Sequence, residues 1–98
     1  MMDDELLRLQ AWFIQQTNGD WEHSNGIQIS TLDNPGWSVK IDITDTGLSG
    51  KSFKALNQHF TEVDWMVCRV QDNRFEGFGG PLSLRRILTT FLDWALDC

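Results

Sequence analysis

Apolar side chains change their spacing along this chain, and the changes divide it into elements. Over residues 4 to about 17, Leu6, Leu9 and Phe13 recur at helical spacing, with Leu7, Trp12 and Ile14 widening the stripe. Asp3 or Asp4 is placed to cap this helix, and Asn18-Gly19 to end it. Ile27, Ile29 and Thr31 then alternate with Gln28 and Ser30, and Trp37, Val39, Ile41 and Ile43 alternate with Ser38, Lys40 and Asp42. A period of two marks half-buried strands. Between them, Asp33-Asn34-Pro35-Gly36 reads as a turn in which Pro fixes one φ and Gly is free to take a positive one. A five-residue loop, Leu32 to Gly36, pairs Thr31 with Trp37, Ile29 with Val39 and Ile27 with Ile41, so the apolar side chains share a face. A loop one residue shorter sets Ile29 against Lys40 and is rejected.

After a polar loop over residues 44–51, the segment 53–61 fits either a strand or a short helix, and the strand is favoured. Residues 64–71 and 74–78 form a second hairpin around Asp72-Asn73, residue types that tolerate the left-handed conformation of a two-residue turn. That turn pairs Val70 with Phe75, Arg69 with Glu76 and Cys68 with Gly77. Met66, Cys68, Val70 and Phe75 then share one face; Trp65, Val67, Arg69, Glu76 and Phe78 share the other. Gly79-Gly80-Pro81 breaks the strand, and Ser83 is a candidate cap for a final helix whose buried stripe is Leu84, Ile87, Leu88, Phe91 and Ala95. The fold class is α+β: an antiparallel β-meander sheet of four to five strands, with an N-terminal and a C-terminal helix packed on one face.

Length assigns the whole chain, residues 1–98, to one domain. Hydrophobic residues make up 41% and charged residues 22%, so the chain has the means to bury a core. Two cysteines, Cys68 in an apolar run and Cys98 at the end, form neither a disulfide framework nor a zinc spacing, which points to a reducing, cytoplasmic setting. The first residues are acidic where a secretory signal is basic, and no apolar run approaches the roughly 20 residues of a membrane span. Net charge is −6, with eight acids against Arg8 and Lys40 in the first half. That balance repels nucleic-acid phosphates and suits a basic partner, although acidity also serves solubility.

Asp20, Glu22 and His23 gather two carboxylates and an imidazole within four residues, the groups of a small enzyme or metal-dependent hydrolase. They match no established catalytic or metal-ligand spacing, and the favoured reading is a loop into the first strand with Trp21 packed on the core. Cys68, alternating with Met66 and Val70, reads as a core thiol rather than a nucleophile. Gly77, Gly79 and Gly80 lack the Lys-Ser/Thr pair of a phosphate cradle and read as strand end and turn.

Several stretches, in order along nearly the whole chain, carry a resemblance. They are Asp20-Trp21-Glu22-His23, Gly26-Ile27, Thr31-Leu32-Asp33-Asn34-Pro35-Gly36-Trp37, the surroundings of Trp65 and Cys68, Phe75-Glu76-Gly77, and Gly80-Pro81-Leu82 with Phe91 and Trp94. Together they resemble the immunity protein 53 family of bacterial polymorphic toxin systems. The resemblance implies function by binding, with a cognate toxin as partner, no cofactor and no catalytic residues. The shared positions are aromatic, Gly and Pro, so they mark core and turns, and partner specificity is expected elsewhere.

The strand alternation says where. A register that buries Ile27, Ile29, Val39 and Ile41 turns Gln28, Ser30, Ser38, Lys40 and Asp42 outward. With Arg69, Glu76 and Trp65 as an aromatic anchor, these are the expected partner-binding residues, and acids of the first half are expected to help attract the toxin. Two other readings stand beside this one: binding through loops or helix ends, and a non-toxin adaptor module.

Overall fold

The computed structural model describes residues 4–96. Helix α1 (Asp4–Gln16) is followed by the single turn α2 (Trp21–Ser24), strands β1 (Ile27–Leu32), β2 (Gly36–Asp42), β3 (Leu56–His59), β4 (Trp65–Val70) and β5 (Arg74–Gly79), and helix α3 (Leu84–Leu96). All five strands are antiparallel in one sheet of order β1-β2-β5-β4-β3. The α+β class with terminal helices therefore holds, and residues 53–61 do contain a strand. The sheet is not a continuous meander, however. Strands β3, β4 and β5 follow one another, but β2 lies against β5. The chain between β2 and β3 travels to the far edge of the sheet, and buried Ile43 and Leu48 with half-buried Phe53 anchor it to the core.

Both expected registers are present. Ile27, Ile29 and Thr31 face Ile41, Val39 and Trp37, and Val70, Arg69 and Cys68 face Phe75, Glu76 and Gly77. Asp72 and Asn73 both have positive φ, 55° and 57°, as a two-residue turn matched to strand twist requires. Gly36 departs from expectation. Its φ is not positive; it already pairs with Leu32 inside the sheet, and a Cβ there would collide with the Gly79 carbonyl. The residue is small because β2 and β5 approach closely at that point.

The core lies between the sheet and the helices. Val39, Ile41, Cys68, Phe75, Ile87, Phe91 and Leu92 are fully buried. Helix α3 crosses β5 between β2 and β4, and α1 lies beside α3. A chain of rings binds the layers: Trp21 to Trp12 at 6.2 Å between centroids, Trp12 to Phe91 at 5.0 Å, Phe91 to Phe75 at 5.1 Å, Phe75 to Phe53 at 5.7 Å and Phe53 to Trp94 at 5.2 Å. Most meet edge to face, the arrangement that the ring quadrupole favours. Indole N–H groups pin the connections, with Trp21 donating to the Thr44 carbonyl (2.8 Å), Trp94 to Ser52 (2.7 Å) and half-buried Trp37 to Pro81 (3.0 Å).

Helix α1 corrects the expected stripe. Leu9 and Trp12 are buried and Phe13 partly so, while Leu6, Leu7 and Ile14 are exposed. Toward α3, the buried Trp12 is joined by ion pairs, Glu5 to Arg85 and Arg8 to Asp93. The expected cap at Asp3 or Asp4 lies outside the described residues and side chains. Ser83 does stand directly before α3, with its carbonyl accepting the Ile87 N–H (3.0 Å), but its hydroxyl donates to the Trp65 carbonyl (3.1 Å) and accepts from Arg86 (3.0 Å).

Candidate protein interface

The sheet face opposite α3 is assembled from alternate residues of the same strands. Gln28, Lys40, Glu76 and Arg69 form one row across β1, β2, β5 and β4. Ser30, Ser38, Phe78 and Val67 form the next, ending at Asn57 of β3. Asp42 and Arg74 face each other toward one end, and Trp65 and His59 toward the other. All eight residues expected from the alternation thus stand on one face. Gln28, Ser30 and Arg69 are exposed, Lys40, Asp42, Trp65 and Glu76 are partly covered, and Ser38 is buried among its neighbours.

Pairing within the face is uneven. Arg69 Nε donates to Glu76 Oε1 at 2.7 Å, with its guanidinium 5.7 Å from the Phe78 ring centre. Arg74 Nε donates to Asp42 Oδ1 at 3.2 Å, and the second Asp42 oxygen accepts the Gly26 N–H at 2.9 Å. Lys40, which stands between these pairs, has no ion-pair partner among the described residues. It borders an open polar hollow of about 450 Å³ together with His23, Gln28, Asp42 and Arg74. Arg74 and Phe78 complete the surface beyond the expected partner-binding set; strand parity already put Phe78 on this face, and the same parity extends to Arg74.

The first-half acids expected to help attract the toxin are not gathered on this face. Among the described residues Asp42 is its only first-half acid; Asp4 and Glu5 belong to α1, and Asp20, Glu22, Asp33 and Asp45 sit in turns and in α2. Lys40, Arg69 and Arg74 outnumber Asp42 and Glu76, which gives a positive balance on a chain of net charge −6.

The Asp20-Glu22-His23 cluster folds as the start of a helical turn rather than a loop. Asn18 Oδ1 accepts the N–H groups of Asp20 (2.9 Å) and Trp21 (2.8 Å), and the Glu22 carboxylate accepts those of Asn18 (3.0 Å) and Gly19 (2.9 Å). Backbone N–H groups, its own first and then those of Asn18 and Gly19, hold the Glu22 carboxyl below its ordinary range. These carboxylate bonds fix the entry to α2, and Trp21 is buried as expected. Among the described residues, no three of His, Cys, Asp and Glu gather as a metal site. Cys68 lies in the core, where burial pushes its thiol up to about 12, a protonated and unreactive state.

The family model described as Immunity protein 53 matches residues 6–96. The chain belongs to the immunity protein 53 family. No curated protein and no solved structure matches it. Membership gives the chain an immunity function, and immunity proteins act on a toxin partner. The family segment runs from the first turn of α1 to the last residue of α3, so the open sheet face falls wholly inside it. No helix among the described residues is long and apolar enough to cross a membrane.

Proposed function

We propose that this member of the immunity protein 53 family acts without catalysis, as one domain in the cytoplasm. On this reading it binds its cognate toxin through the open sheet face and occludes the toxin's active site or a surface the toxin needs. The observation that carries the proposal is Lys40. Its side chain is partly covered and has no ion-pair partner among the described residues, so its charge is left for a group from outside the chain. A carboxylate contributed by the toxin supplies what is missing, and the hollow beside Lys40 gives it room. Around that charge, Trp65, Phe78 and Val67 provide the apolar area and Gln28, Ser30 and Asn57 a polar rim, the usual make-up of an energetic centre in an interface.

Protection of cells that produce the toxin is the direct test. Ser30→Arg sets a bulky charge on the open face and is expected to abolish protection while the protein stays folded. Gln15→Arg, at an exposed position of α1, is expected to leave protection intact. Equal protection by both variants would overturn the sheet-face assignment, and failure of the wild-type chain to protect would overturn the toxin reading itself.

A further inference from the structure

Strands β1 and β3 are the two edges of the sheet. Proteins commonly blunt such edges with charges, proline, bulges or very short strands. Strand β3 has four residues, next to Lys54 and ending in His59. Strand β1 has six, Ile-Gln-Ile-Ser-Thr-Leu, with no charge, no proline and no interruption in its register.

Its free backbone groups can be assigned. The Asp42 N–H donates to the Gly26 carbonyl at 3.0 Å, and these residues are directly opposed by the β1-β2 register. In an antiparallel ladder bonded pairs alternate with unbonded ones, so Gln28, Ser30 and Leu32 also bond to β2. The N–H and C=O groups of Ile27, Ile29 and Thr31 therefore point away from the sheet. Their side chains share the face covered by the helices, where Ile29 remains 40% exposed. An apolar groove of about 380 Å³ between α1 and the start of β1 runs beside them, lined by Leu9, Phe13 and Ile27.

We infer that β1 pairs antiparallel with β1 of a second copy of this chain, about a two-fold axis through Ile29, to form one continuous sheet across both copies. The parity of the free groups selects this register. Ile29 faces Ile29, Ile27 faces Thr31 and Gln28 faces Ser30, each on the correct side of the sheet, and each outward pair exchanges both of its N–H···O bonds. The contact is self-complementary, as a two-fold interface requires. Charge does not oppose a second copy at this edge. The pairing opposes no like charges despite the net −6, because the acid that adjoins β1, Asp33, falls opposite Asn25 of the other copy. With the axis normal to the sheet, both helix layers lie on one side and both open faces on the other. The toxin surface proposed above stays uncovered, so this inference stands or falls independently of it.

Sedimentation velocity on the whole chain, from micromolar to millimolar concentration, is expected to show twice the monomer mass of 11.3 kDa. Ile29→Lys, at a half-open position, is expected to return the protein to monomer, with a denaturation midpoint that no longer rises with protein concentration as that of the wild-type dimer does. The register has its own test in a Cys98→Ser background. A bonded antiparallel pair sets its Cα atoms about 5.5 Å apart, within the roughly 4.4–6.8 Å of a disulfide. Ile29→Cys should therefore give a covalent dimer on oxidation, and Thr31→Cys, displaced from the axis, should not. A wild-type monomer throughout, an Ile29→Lys dimer, or equal cross-linking by Thr31→Cys would each overturn the inference; a monomer would leave the free edge to a strand of another protein.

Discussion

The two faces of the sheet are made from alternate residues of the same strands and differ in what they hold. Toward the helices, Val39, Ile41, Cys68 and Phe75 are fully buried, and Phe75 joins a chain of rings that reaches both ends of the core. On the other side, Lys40, Asp42, Arg69, Arg74 and Glu76 meet one another in short, partly solvated pairs, with Lys40 left over. Pairs of that kind contribute little to stability, about 0–1 kcal/mol each, whereas burial of apolar surface dominates the folding free energy. The comparison teaches a division of labour: one face stabilises the domain, and the other can vary with its partner at small cost to the fold.

That division predicts effects of graded size. The largest belongs to Phe91→Ala, which removes a fully buried ring in contact with Trp12, Phe75 and Trp94. It should cost about 3–5 kcal/mol, a large share of the roughly 5–15 kcal/mol that holds a small domain together. Chemical denaturation measures it, and a loss below 1 kcal/mol would break the contrast between the faces. Gly36→Ala should follow at about 1–3 kcal/mol, the range for overpacking, because its Cβ meets the Gly79 backbone. An unchanged midpoint would show that β2 and β5 do not approach as described.

Smaller effects depend on pH. The Cys68 thiol is raised from 9.0 to about 12 by burial, so it stabilises the fold fully below pH 9 and that contribution falls as pH rises from there toward 12. In a Cys98→Ser background its labelling by a disulfide reagent at pH 8 should proceed only as fast as the protein opens; labelling at the rate of a free thiol would place it outside the core. Glu22 shows the opposite sign. Its carboxyl is lowered from 4.5, so its contribution is present above that pH and lost as pH falls through the folded value. Glu22→Gln should lower Tm slightly at neutral pH and bring wild type and variant together in acid, whereas a constant difference across pH would deny the role of its charge.

Strand positions and both registers were legible in the sequence because period-two alternation and turn chemistry are local signals. The sheet order was not, since nothing within β2 records that β5, some 30 residues later, lies beside it. The stripe on α1 misled because apolar spacing alone counts Leu6, Leu7 and Ile14 as buried, while Glu5 and Arg8 face α3 through ion pairs with its arginine and aspartate. The same limit applies to the open face. Parity placed all eight candidate residues on it, but its positive balance and the isolation of Lys40 follow from Asp42 meeting Arg74 across 32 positions and from the other described first-half acids lying in turns, α1 and α2. A count of charge by chain halves does not contain that information.

Lys40→Met tests the central claim most directly, because it removes the unpaired charge and keeps most of the side chain's apolar stem. Calorimetric titration with the cognate toxin, alongside a denaturation curve, should show affinity reduced by about tenfold or more, equivalent to about 1.4 kcal/mol or more, with stability unchanged or raised. Affinity equal to wild type in a folded Lys40→Met protein would contradict the assignment of the open face as the surface that meets the toxin.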